Sequence, residues 1–154
     1  MKDISATPTD LSQTIDDFVA AFNEPSPDLD KVMSFFTDDA VYLPGHLPER
    51  RGIAAIRKEF EPHFAGRYGA MHFAVYDKII DEPNRRATIR WACRLDMSGE
   101  SGRHVPLPLR LFARARYGGR MQWHGVDVFH FDTAGRISGK FTYAMFRLPL
   151  WERG

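Results

Sequence analysis

Asp127 is the residue in this sequence best placed to do chemistry. Along Met121–Phe131, a period of two puts Met121, Trp123, Asp127, Phe129 and Phe131 on one face. Gln122, His124, Val126, Val128 and His130 fall on the other. Asp127 therefore projects from the more aromatic side. Burial disfavours a charged carboxylate unless donors stabilise it. An acid held in an apolar cleft can donate a proton or a hydrogen bond to a developing oxyanion. An equally weighted alternative is structural: a buried Asp that bonds a loop or a neighbouring Tyr or Trp.

Partners follow from the next segment. Met121–Phe131 and Arg136–Phe146 read as two strands joined by Asp132-Thr-Ala-Gly135, a hairpin signal. If Phe131 faces Ile137, then Phe141 faces Asp127 and Tyr143 lies one diagonal step away. Tyr143 is thus the expected group that orients Asp127. His46 and Tyr42 come from the loop after a short strand, Ala40–Leu43, and from that strand itself, near the expected pocket mouth. The near-neutral pKa of histidine suits His46 to carry a proton; a loop histidine flanked by Pro44, Gly45 and Pro48 is also simply exposed in many proteins. The expected lining is Phe18, Tyr42, Trp91, Trp123, Phe129 and Phe141, with His124 joining if its face is the inner one.

Other chemistries lack their motifs. No His, Cys and carboxylate set has metal-ligand spacing. There is no Gly-rich phosphate loop and no nucleophile elbow. No metal or cofactor is expected. Cys93 is the single cysteine and sits mid-strand among apolar residues, which predicts an inert core thiol and no internal disulfide.

The elements that must position these groups are legible from periodicity. Leu11, Ile15, Phe18, Val19 and Phe22 recur at helical spacing, and Asp10 with Gln13 resembles a capping box. Glu24-Pro-Ser-Pro27 ends that helix, and Asp28 caps a second with Leu29, Val32, Met33 and Phe36 on one side. Asp38 and Asp39 read as a turn, and residues 44–52 as a loop. A third helix starts near Ile53, with Pro62 shortening it and Gly66 stopping it. Met71–Ile80 and Ala87–Met97 then read as strands around a hairpin loop, and 98–104 as a loop. Residues 107–117 fit a strand by alternation and a helix by Leu107, Leu111 and Ala115; the strand is favoured slightly. Three helices followed by strands give an α+β fold: a curved antiparallel sheet wrapped on three N-terminal helices, a cone enclosing a pocket.

The bulk numbers agree. A chain of 154 residues, 44% hydrophobic and 27% charged, fits one domain over 1–154, with 1–9 and 147–154 as tails. The N-terminus, with Asp3, Asp10, Asp16 and Asp17, is no signal peptide, and no apolar stretch spans a bilayer. A cytoplasmic location is expected, with no membrane partner. Residues 1–39 hold nine acids against Lys2 and Lys31, a net of −7. Residues 84–120 hold nine arginines against Asp96 and Glu100, a net of +7. The two blocks lying together, or a solvated arginine face, accounts for this better than nucleic acid, for which no motif is present.

Five segments carry a family resemblance. They are Phe18-Val-Ala-Ala-Phe22, Asp28-Leu-Asp30, Phe35-Phe-Thr-Asp-Asp-Ala-Val41, Arg51-Gly-Ile-Ala-Ala-Ile-Arg57 and Gly125-Val-Asp-Val-Phe-His-Phe-Asp-Thr-Ala-Gly-Arg-Ile137. In this order the chain resembles the SnoaL-like, nuclear-transport-factor-like superfamily, which includes ketosteroid isomerases, polyketide cyclases and non-catalytic binding or dimerisation domains. The resemblance implies a cystatin-like cone, a small apolar ligand of cyclic, steroid or polyketide kind, and a homodimer. It departs at 98–120, which is longer than usual. Asp127 falls where ketosteroid isomerases keep a protonated Asp. Their general base would fall at Leu43 or Pro44 and their oxyanion Tyr at Phe18, none of which carries a titratable group. The cyclases' acid would fall near Met145. The epoxide-hydrolase pattern Arg-x-Asp occurs at Arg94-Leu95-Asp96, displaced along its strand, with Thr142 at the remaining acid. What is implied is cofactor-free acid–base chemistry of isomerase, dehydratase or cyclase type, or ligand binding and protein interaction without turnover.

Overall fold

The computed structural model describes residues 10–45 and 47–144. The chain opens with α1 (Leu11–Asn23), whose Asp10 carboxylate caps it by accepting from the Gln13 N–H. Leu11, Ile15, Phe18 and Ala21 of α1 are buried, the inward stripe that the spacing predicts. Each large apolar side chain so buried contributes about 1.5–3 kcal/mol. One end of α1 is pinned to a sheet strand and the other to the turn that follows that strand. The Asn23 amide donates to the Phe73 carbonyl at 2.7 Å and accepts from the Phe73 N–H at 2.8 Å, while the Leu11 N–H donates to Glu82.

After α2 (Leu29–Met33), capped by Asp28, the chain runs through β1 (Phe36–Leu43), β2 (Arg50–Arg51) and α3 (Ile53–Phe64). β1 begins earlier than expected and absorbs Asp38 and Asp39, both exposed within the strand. Pro62 lies in the last turn of α3 and does not break it. Then come β3 (Ala70–Asp81), β4 (Arg86–Asp96), a 3-10 turn at Gly99–Gly102, α4 (Leu107–Tyr117), β5 (Arg120–Phe131) and β6 (Ile137–Ala144).

Among the described residues the six strands form one curved sheet, in the order β2-β1-β6-β5-β4-β3. Two details differ from the expectation. First, the sheet is not wholly antiparallel: β6 slots between β5 and β1 and runs parallel to β1. Second, residues 107–117 are helix, not strand. Pro106 and Pro108 explain this. In a strand they would delete ladder donors, whereas at a helix start the missing N–H has no intrahelical role. Gly118, in the left-handed region at φ 73°, closes α4.

The core lies between the helices and the concave sheet face. Phe18 is its hub, with ring centroids of Phe22, Phe35, Phe36 and Phe129 at 5.2, 5.6, 5.7 and 5.8 Å, all edge-on. The charge blocks do not require each other. Asp16 bonds Lys78 and Asp30 bonds Arg57, while Arg90 pairs with Asp77 and Arg120 with Asp96 on neighbouring strands. Residues 1–9 and 147–154, expected as tails, lie outside the described residues.

Candidate functional site

β5 presents its faces as expected. Met121, Trp123, Asp127, Phe129 and Phe131 are buried, and their alternates only partly so. Phe131 does face Ile137. Immediately after that pair, however, the hairpin carries a β-bulge: His130 faces Gly139, leaving Ser138 as the extra residue of β6. Because side chains alternate, one inserted residue exchanges the two faces of the remaining strand. Thr142, not Phe141, therefore stands opposite Asp127. Lys140 and Thr142 turn inward, and Phe141 and Tyr143 turn outward.

The result is a buried polar cluster. Asp127, Lys140 and Thr142 are 4%, 7% and 8% exposed. Lys140 Nζ lies 2.8 Å from Asp127 Oδ2 and donates to Thr142 Oγ1 at 2.8 Å, and the Thr142 hydroxyl donates to Asp127 Oδ1 at 2.7 Å. The ammonium also lies 4.9 Å from the centroid of the Tyr42 ring and 5.7 Å from that of Phe129. Burial works to lower the Lys140 pKa, but the Asp127 carboxylate and Tyr42 outweigh it and the net shift is upward. Tyr42 is itself pushed up, chiefly by burial, with the Lys140 charge opposing.

This cluster forms part of the wall of a cavity of about 450 Å³. Its other walls are mainly apolar: Phe18, Phe22 and Phe60 from the helices, Trp91, Met121 and Trp123 from the sheet. Trp91 reaches across β5 because residue 125 is glycine; a Cβ there would stand 2.3 Å from Trp91 Cζ2. Among the described residues the Trp91 indole N–H has no hydrogen-bond partner, and its ring meets Phe73 edge-on at 5.4 Å. Cys93 is fully buried and its thiol pKa is pushed up by burial, which keeps it protonated and inert.

Helix α3 brings two titratable groups to the same cavity, Glu59 and His63, one turn apart. Glu59 is held by Arg50 at 2.8 Å. The His63 pKa is lowered, first by burial, with Glu59 opposing and Lys140 adding to the downward push. His63 Nδ1 lies 3.0 Å from Met71 Sδ. A thioether has no hydrogen to give, so in that contact Nδ1 is the donor. The lone pair of the neutral ring is then on Nε2.

Of the residues singled out from sequence, Asp127, Tyr42, Phe18, Trp91 and Trp123 line the cavity together. Phe129 is fully buried beneath them, between Phe18 and Phe131. Three lie on the outer sheet face: Tyr143 is 59% exposed, the Phe141 ring lies tilted against His130 at 4.8 Å, and His124 meets Tyr76 at 6.2 Å. The bulge is the reason for Phe141 and Tyr143; simple alternation is the reason for His124. His46 lies outside the described residues, although Gly45 and Leu47 line the cavity. Arg94 is exposed and Asp96 bonds Ser98 and Arg120, so Arg94 and Asp96 do not form a pocket pair. Sequence reading missed Lys140, Glu59 and His63. Lys140 needed the bulge to be seen. His63 follows Phe60 by three residues and Glu59 by four, helical spacing that was available as a signal. Among the described residues, no three His, Cys, Asp or Glu side chains gather as a metal site would require.

Comparison with known proteins places this architecture. The solved structure of SalBIII, an epoxide hydrolase/cyclase-like enzyme in pyran ring formation in polyether salinomycin, is similar at TM-score 0.69 and 15% identity, over 94% of this chain and 95% of that one. An NTF2-like protein of unknown function from Exiguobacterium sp. 255-15 is similar at TM-score 0.63 and 16% identity, over 87% of this chain and 99% of the other. A protein of unknown function with a cystatin-like fold from Methylobium petroleophilum PM1 is similar at 0.61 and 17%, over 92% and 79%. No curated protein matches the sequence. The family model of the SnoaL-like domain matches residues 15–139, so the chain belongs to the SnoaL-like domain family.

Proposed function

We propose that the cone binds a small, largely apolar, cyclic or polyketide-like molecule bearing a carbonyl, and acts on it by cofactor-free acid–base chemistry. The observation that carries this reading is the buried Asp127–Lys140–Thr142 cluster in a cavity that His63 also lines. The roles differ from the simplest expectation for Asp127. Its carboxylate already accepts from Lys140 and Thr142, so it serves as the anchor of an ammonium. Lys140 is then the group that stabilises a developing oxyanion, in a site where water is scarce and such a charge is worth most. His63 Nε2 takes the proton from the carbon beside the carbonyl, the electron pair moves onto the oxygen, and the imidazolium returns the proton at another atom. Double-bond isomerisation beside a carbonyl, loss of water beta to it and aldol-type ring closure all begin with that step. The similarity to SalBIII, described as epoxide hydrolase/cyclase-like, supports a ring-forming member of this set.

A second reading, ligand binding without turnover, is favoured by one observation. The Lys140 ammonium is already engaged by Asp127, Thr142 and the Tyr42 ring. One experiment separates them. Native mass spectrometry of freshly purified protein finds any retained molecule. A panel of cyclic ketones and enones in deuterated water, followed by NMR, then reports exchange of the protons beside the carbonyl. The acid–base reading expects exchange that His63→Ala abolishes while binding persists. Binding with no exchange in the wild-type protein would sink it in favour of the carrier reading.

A further inference from the structure

Helix α4 shows its apolar side to solvent. With 3.6 residues per turn, its inward face is Leu109, Ala113 and Tyr117, of which Ala113 and Tyr117 are buried. The opposite face carries Leu107, Pro108, Leu111, Phe112 and Ala115, and all five are exposed. Leu107, Leu111 and Phe112 are 56%, 55% and 51% exposed. An ordinary surface helix has the reverse arrangement. An exposed apolar stripe of this kind marks a contact surface.

Two further features say what kind of surface it meets. The stripe is bordered by arginines: Arg110 and Arg114 along one flank, Arg116 along the other, with no acidic residue in the helix. Beside Arg110 and Arg114 a cleft of about 470 Å³ is lined by Met97, Ser98, Gly99, Leu111, Gly118 and Gly119, so that apolar and basic side chains meet at its edge. The stripe is also continuous with the mouth of the apolar cavity. Leu109 and Phe112 of α4 line that cavity, and so do Leu47 and Tyr68, which are 40% and 38% exposed. Apolar side chains flanked by long basic ones, around the opening of an apolar chamber, fit a sheet of hydrocarbon under anionic headgroups. Arginine stems can lie along the apolar layer while their guanidinium groups stay with phosphate.

We propose that α4 docks on an anionic lipid surface, with its leucines and Phe112 in the interface and Arg110, Arg114 and Arg116 on headgroups, so that the cavity mouth opens toward the bilayer. No helix among the described residues is long and apolar enough to cross a membrane, and this contact needs none. An apolar ligand then passes between bilayer and cavity without crossing water. The inference stands whether the cavity is catalytic or a carrier.

The test uses the full chain and vesicles of phosphatidylcholine alone or mixed with phosphatidylglycerol. Leu111→Cys labelled with a polarity-sensitive dye reports the stripe itself, since Cys93 is buried and unreactive. Binding to the mixed vesicles with a blue shift of the dye, weakened by salt, is the expected result. Arg114→Glu with Arg116→Glu should weaken it by about tenfold or more, and Leu107→Ser with Leu111→Ser should abolish the insertion. Circular dichroism checks that both variants are folded. Equal binding to neutral vesicles, or no binding, overturns the proposal. A dye shift that grows with protein concentration in the absence of lipid also overturns it, in favour of an interface between protein copies.

Discussion

The base of the cone and its rim treat charge in opposite ways. At the base, Lys140 and Asp127 are almost fully buried and matched atom to atom with Thr142 between them. At the rim, Arg114 and Arg116 are exposed beside exposed leucines. A buried charge must be matched because its lost hydration has to be replaced by specific partners. That requirement makes the base rigid and its geometry reproducible, the condition for placing a proton or an oxyanion. An exposed charge is already solvated, so the rim needs no such matching: Arg116 lies over the Tyr117 ring, 5.0 Å from its centroid. Matched buried charge and solvated charge thus reside in different regions of one small sheet and its helices.

That contrast can be broken at the base first. Lys140→Met leaves the Asp127 carboxylate buried without its cation and should cost about 3–5 kcal/mol in urea unfolding. Adding Asp127→Asn should recover most of the loss; if the double variant is no better than the single one, the stranded charge is not the cause.

Alkaline pH should act on the same pair. Lys140 and Tyr42 both have pKa values raised in the fold, above ordinary values of 10.5 and 10.0. A raised value means the folded state holds its proton more tightly than the unfolded chain. Their contribution is therefore complete below about pH 10 and is lost as pH rises through the folded values. Melting temperatures should fall above that point more steeply in the wild type than in Lys140→Met.

A smaller effect belongs to the wall beside the cluster. Gly125→Ala drives a methyl into the Trp91 ring, 2.3 Å away, and should cost about 1–3 kcal/mol while altering the cavity. Near-UV circular dichroism of the tryptophans should change with it. Smallest of all, Leu111→Ser at the rim should shift stability by no more than about 0.5 kcal/mol, because its side chain is solvated already. A large loss there would mean that α4 is packed as tightly as the base.

The inner face of β5, the caps at Asp10 and Asp28 and the α+β order were legible because they depend on neighbours in sequence. Alternation alone puts Asp127 among Trp123 and Phe129. Residues 107–117 were legible in principle too: Pro106 and Pro108 before the segment's core and Gly118 after it are helix punctuation, and they outweigh an alternation that arises because the inward and outward faces of α4 are both apolar. His63 was available by its spacing from Phe60 on α3, but a lone histidine on a helix gives no sign of the strand it will face.

What the sequence by itself determined is therefore local: which segments are helix or strand, and which side of each is apolar. What only the tertiary structure decided is phase and meeting. Ser138 stands as an extra residue between two paired strands, and nothing in its identity announces that. Yet that single residue turns Lys140 and Thr142 inward and Phe141 and Tyr143 outward, because a pleated strand has a side-chain period of two. The bulge exists where β6 must pair with its hairpin partner β5 on one side and the parallel β1, about a hundred residues earlier in the chain, on the other.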